Sequence, residues 1–177
     1  MLHQARLTLL VVLTTALPSL AAEPAAVKAA TAANARVTLM PVTDKDFAAK
    51  VLGTRKGKAV LVSFWASYCA PCLTELPALL AMKKAVQKKG GDIVLVNVDP
   101  PGDPAQIEKV IALKKLPAFE SFQVTNEDPQ HFIDAVDKKW MGEVPYAAVF
   151  GKDGTLKRGL SGEQTVAELQ KALDEVL

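Results

Sequence analysis

An α/β fold with a mixed central sheet flanked by helices follows from three features of the sequence. The runs Lys58–Trp65 and Ile93–Val98 are continuously apolar, as suits strands covered on both faces. Segments with helical spacing of apolar residues alternate with the strands. The chain then closes with a strand, a Lys152-Asp153-Gly154 turn, a second strand and a last helix, the pattern of a terminal hairpin.

Residues 1–22 read as a secretory signal. Arg6 gives a positive start, Leu7–Leu17 is apolar, and Ser19-Leu20-Ala21 is a small-x-small cleavage site. The apolar run is shorter than the roughly 20 residues a spanning helix needs, and Pro18 interrupts it. Residues 23–36, rich in Ala, have too few large side chains to bury and read as a flexible tether. The folded domain is expected over 37–177, starting with a short strand at Val37–Met40. Thr43-x-x-Asp46 then caps a helix through Val51-Leu52 that closes at Gly53. Arg55–Lys58 reads as a solvated basic turn before the first apolar strand.

From Leu73 the residues Leu76, Leu79, Leu80, Met82 and Val86 form one helical face, with Lys83, Lys84, Lys88 and Lys89 on the wet side. Pro77 lies inside this helix and is expected to kink it, since it removes a backbone donor and crowds the preceding turn. After the strand Ile93–Val98, the segment Asp99–Pro104 is a loop and Ala105–Lys115 a helix. Phe119–Val124 is a further strand, and Asp128 with Pro129 starts a short helix to Lys138. The hairpin pairs Tyr146–Phe150 with Thr155–Leu160. Ser161-x-x-Gln164 is the expected capping box of the last helix, whose buried face is Val166, Leu169, Leu173 and Val176.

Half of the 177 residues are hydrophobic, enough for one domain with a real core. Lys plus Arg number 21 against 19 for Asp plus Glu, so no basic surplus recruits nucleic acid. The two cysteines, Cys69 and Cys72, are three apart where an apolar strand gives way to a helix. There the unpaired N–H groups and the positive dipole end favour a thiolate, making Cys69 the natural nucleophile and Cys72, one turn on, the resolving thiol. A structural staple is the bland alternative, but so small a loop constrains the unfolded chain little. Structural zinc wants four ligands where the mature chain offers Cys69, Cys72 and His131, and haem attachment wants His where Leu73 stands. No metal site is therefore assigned. Copper(I) held by the two thiols stays open as an alternative binding function.

The segment Trp65-Ala66-Ser67-Tyr68-Cys69-Ala70-Pro71-Cys72-Leu73-Thr74-Glu75-Leu76-Pro77 resembles the signature of the TlpA-like branch of the thioredoxin superfamily. That branch includes the reductants of cytochrome c maturation. Val144-Pro145, an apolar strand and Lys152-Asp153-Gly154 resemble a second element of the same family. The resemblance implies a thioredoxin-like fold and a thiol-disulfide oxidoreductase, periplasmic after export, needing no cofactor beyond the Cys69-Cys72 couple. It implies client protein disulfides and an upstream thiol donor, membrane-bound in some members, as partners. It also implies a cis Val144-Pro145 bond facing the cysteines, and substrate contacts at Trp65, Tyr68, Val144, Pro145 and Tyr146. Glu75, three after Cys72, takes the place of the branch's acid, and could relay the Cys72 proton or simply be a solvated helix acid. Thioredoxin's own buried acid and lysine are replaced by Ser63 and Leu95, Tyr68 stands for a usual Trp, and Tyr146 for a frequent Thr. An oxidant or isomerase would use the same residues in the opposite direction.

Overall fold

The computed structural model describes residues 36–102 and 104–177, so the signal and all of the tether but Arg36 lie outside the described residues. Arg36 itself is fastened to the domain: its N–H donates to Glu108 at 2.6 Å and its guanidinium to the Leu116 carbonyl at 3.2 Å.

Six strands form one mixed sheet. They are β1 (Val37–Val42), β2 (Ala59–Trp65), β3 (Gly91–Asn97), β4 (Phe119–Val124), β5 (Tyr146–Phe150) and β6 (Leu156–Ser161), in the order β1-β4-β3-β2-β5-β6. β1 to β4 run parallel, while β5 lies antiparallel to both β2 and β6. Every residue of β2, β3 and β5 is buried, which is why those runs carry no alternation of apolar and polar residues.

The helices are α1 (Asp44–Phe47), α2 (Ala70–Lys88), α3 (Pro104–Leu113), α4 (Pro129–Val136) and α5 (Val166–Asp174). Alternate strand residues face two separate cores. Leu61, Trp65, Ile93, Leu95 and Val149 pack with Leu76 and Leu79 of α2, Ile107 and Ile111 of α3, and Leu169 and Leu173 of α5. On the other face Val62, Phe64, Val94, Val96 and Phe150 pack with Phe47 of α1, Phe132 of α4 and Trp140.

Several local expectations are corrected. The Thr43–Asp46 capping box forms, but α1 passes into a π turn (Ala48–Leu52) and a 3-10 turn (Gly53–Arg55), and Gly53 stays right-handed at φ −60°. Arg55 is not simply solvated: its Nε bonds Asp92 at 2.7 Å and its Nη1 the Val51 carbonyl at 2.8 Å. Pro77 does lie inside α2, as expected, at an exposed position. The last helix is capped by Thr165 and Glu168 rather than Ser161 and Gln164, because Ser161 is occupied in β6 opposite Tyr146. Val166 stands 41% exposed, off the buried face of α5.

Candidate active site

β2 ends at Trp65 and four residues later Cys69 becomes the N-cap of α2, with extended backbone at φ −90° and ψ 96°. An N-cap side chain normally accepts from the first helical turn. Here the sulfur does so: Cys72 N–H points at Cys69 Sγ, 3.3 Å away. Pro71 costs the helix nothing, since first-turn donors have no partner within the helix. Cys69 and Cys72 are disulfide-bonded with Cα atoms 5.3 Å apart, and Cys69 is the more accessible at 6% against 2%. When the bond is reduced, the same N–H and the dipole end stabilise negative charge on Cys69.

A buried carboxylate holds the loop that carries Cys69. Asp99, just beyond β3, accepts from Ser67 N–H at 2.8 Å, Ser67 Oγ–H at 2.9 Å and the Asn97 side-chain amide at 2.6 Å. Val98 N–H donates to the Trp65 carbonyl at 2.9 Å and closes the same junction. Sequence reasoning passed over Asp99 as loop. The available signal was two polar residues, Asn97 and Asp99, ending an otherwise apolar strand. Between Ser67 and Cys69, Tyr68 projects 68% exposed, its phenol pKa raised first by burial of the hydroxyl and then by the Asp99 charge.

Glu75 lies one turn beyond Cys72, half-buried, and accepts the Gln164 N–H at 3.0 Å from the segment leading into α5. Burial pushes its carboxyl pKa up; the Gln164 N–H opposes that rise and the Glu163 charge adds to it. The Val144-Pro145 bond is cis. Val144 packs against the core cluster that contains Cys69 and Cys72, and the β2–β5 register, with Phe64 opposite Tyr146, carries Pro145 alongside Trp65.

Two residues assigned to substrate contact have covered side chains. Trp65 is fully buried, donating from its indole to Ser121 Oγ at 3.0 Å. Tyr146 is 3% exposed; its ring stacks on Trp140 at 4.7 Å and 9°, and its hydroxyl donates to Asp137 at 2.6 Å. Burial and the Asp137 carboxylate hold the Tyr146 pKa far above the ordinary phenol range. Trp140 in turn donates from its indole to the Glu143 carbonyl at 2.8 Å, bracing the approach to Pro145. Asp137 and Trp140 carried no sequence signal. Among the described residues no group of three or more His, Cys, Asp or Glu side chains is placed to hold a metal, and no helix is long and apolar enough to cross a membrane.

A cysteine pair at the N-terminus of a helix, on this sheet order, defines a thiol-disulfide oxidoreductase of thioredoxin-like fold. The chain belongs to the AhpC/TSA family, the match running over residues 29–158. It is 28% identical over 142 residues to the thiol-disulfide oxidoreductase ResA of Bacillus thuringiensis (strain Al Hakam), covering 76% of this chain and 73% of the relative. It is 35% identical over 88 residues to a thioredoxin of Streptomyces clavuligerus, covering 49% of this chain and 77% of that protein. In fold it is similar to a thiol:disulfide interchange protein of the thioredoxin family from Chlorobium tepidum TLS, with a TM-score of 0.53, 20% identity, and 70% and 83% of the two chains covered. These relations place it with the TlpA- and ResA-like proteins of the thioredoxin superfamily, acting on disulfide-bearing substrates.

Proposed function

We propose that this protein is an exported, periplasmic reductant of client protein disulfides. The observation that carries the reading is Cys69 at the cap of α2, with the Cys72 N–H aimed at its sulfur. In the dithiol form the Cys69 thiolate attacks one sulfur of the client disulfide. A mixed disulfide forms, and the client's other sulfur leaves as a thiolate that takes up a proton. Cys72, deprotonated with the help of Glu75, then attacks Cys69 Sγ; the Cys69-Cys72 bond forms and the second client thiol is released. The client gains two electrons and two protons, and an upstream dithiol, carried by a membrane-bound donor, restores the protein.

Glu75 suits the relay because burial lifts its pKa towards the range in which it can both take and give a proton. The backbone of Val144, just before β5, is the part that would pair with the client, Pro145 having no N–H to present and its carbonyl being taken by Gly162, while Tyr68 meets the client beside the nucleophile. Trp65 and Tyr146 act by holding those two loops. The export reading rests on Arg6, Leu7–Leu17 and Ser19-Leu20-Ala21.

Cysteine variants test the roles. Cys69→Ser abolishes reduction of insulin or a model disulfide, and Cys72→Ser accumulates mixed disulfides with substrate, visible on non-reducing gels. Trapping by Cys69→Ser instead would reverse the assignment.

A further inference from the structure

A cavity of about 330 Å³ opens beside the redox site on the face opposite α2. Its rim begins at Tyr68, one residue from Cys69. It is lined by Val98 and Pro101, beyond β3, by Phe132 and Ile133 of α4, and by Trp140. Two of the four large apolar residues most exposed among the described residues adjoin it. Tyr68 is 68% exposed, and Met141, between the lining residues Trp140 and Gly142, is 86% exposed. Two acids, Asp99 and Glu127, also face the cavity.

The volume is at the lower end of that of small-molecule pockets and suits one or two side chains rather than a larger ligand. Apolar patches rimmed by charge mark interaction sites, and Met adapts to varied partners. The cavity reaches the redox loop through Tyr68, the residue before Cys69, and the charged side chains that line it, Asp99 and Glu127, are both acidic. We propose that this cavity takes an apolar side chain, aromatic or branched aliphatic, one to three residues from the client cysteine, with Glu127 favouring a neighbouring Lys or Arg. A residue two positions from the client cysteine lies about 7 Å along an extended chain, while Tyr68, which lines the cavity, is the immediate neighbour of Cys69. This rests on the oxidoreductase reading and names the sequence class of its clients.

The test uses cysteine peptides carrying a glutathione mixed disulfide, with Phe or Ala two residues from the cysteine and Lys beyond it. The second-order rate with the reduced protein is followed by stopped flow. Burying one such ring predicts a Phe-to-Ala rate ratio of roughly tenfold or more. The ratio falls to near one in Ile133→Lys and in Pro101→Glu, the second being an exposed loop position that leaves the core untouched. The ratio cancels any change in the thiol chemistry itself. A redox-inert peptide with Ser in place of the cysteine should shift Trp140 fluorescence in the wild type and not in the variants. Equal rates for the two peptides, or a preference that survives both substitutions, overturns the proposal. If neither peptide is reduced but the inert one still binds, the cavity stands and the reductant reading falls.

Discussion

Asp99→Ala removes the anchor of the Cys69 loop, and its cost can be worked out bond by bond. The carboxylate accepts three hydrogen bonds from two residues, and bonds to a charged acceptor contribute about 1.5–3 kcal/mol each. They do not add fully, because the two donors on Ser67 sit at a half-exposed residue and regain water when Asp99 is cut back. Asn97 is 0% exposed and cannot, so its orphaned amide carries a penalty of about 1–3 kcal/mol. The expected loss is about 2–4 kcal/mol. Ser67→Ala deletes only the hydroxyl bond and should cost about 1 kcal/mol. Urea unfolding with an unchanged m-value measures both. Native-state hydrogen exchange adds a local readout, since the Ser67 N–H loses protection in Asp99→Ala beyond what the global loss explains. An Asp99→Ala variant no less stable than Ser67→Ala would refute the reasoning and leave the carboxylate a passive neighbour.

Glu75→Gln tests the raised carboxyl pKa: the folded chain favours the protonated acid, so that stability is complete below the ordinary value of 4.5 and is lost as pH rises through the higher folded value. The amide still accepts the Gln164 N–H, so the variant should flatten this part of the pH–stability curve and gain less than about 1 kcal/mol at neutral pH, screening being strong at a half-exposed group. A parallel-shifted curve would contradict it. Tyr146→Phe leaves Asp137 without its hydroxyl donor and should cost about 1–3 kcal/mol, raising the substrate KM more than it lowers kcat as the Asp137–Glu143 loop loosens. Gly159→Ala places a methyl against the Tyr146 hydroxyl and 2.7 Å from the Asp137 carboxylate, a clash worth about 1–3 kcal/mol. In the Tyr146→Phe background much of that cost should vanish; strict additivity in thermal melts would rule out the contact as its cause.

What the sequence made legible was whatever depends on neighbours in the chain. β4 and β5 are read to the residue because an apolar segment bounded by polar turns states its own limits. The Thr43 capping box formed because donor and acceptor are three residues apart. Two adjacent boxes preceded the last helix, and the choice between them was tertiary: β5 claims Ser161 for the sheet, so Thr165 is the first residue free to cap. Asp99 and Ser67 are 32 apart and Arg55 and Asp92 are 37 apart. Only the pairing of β2 with β3, which sets Trp65 beside Asn97, makes them neighbours. Aromatic residues are ambiguous for another reason. Trp65 and Tyr68 flank the same turn, yet a strand covered on both faces buries one and the loop exposes the other.

The position of the acid ties the site to the fold. Ser63 and Leu95 are opposed in the β2–β3 register, buried on the α2 face of the sheet. Leaving a carboxylate there without a cation would cost several kcal/mol, and Leu95 supplies none. Glu75 moves the acid from the sheet to the helix, where it keeps one face to solvent and gains an N–H from Gln164. That donor belongs to the segment joining β6 to α5, and Gly162 of the same segment donates to the Pro145 carbonyl at 2.9 Å. One short connection therefore fastens both the acid and the cis-proline loop. A displacement of the β6–α5 junction would move Glu75 and the Val144-Pro145 backbone together, so if these are the proposed proton relay and client-binding edge, substitutions at Gln164 or Gly162 should alter KM and the pH dependence of turnover in the same variant.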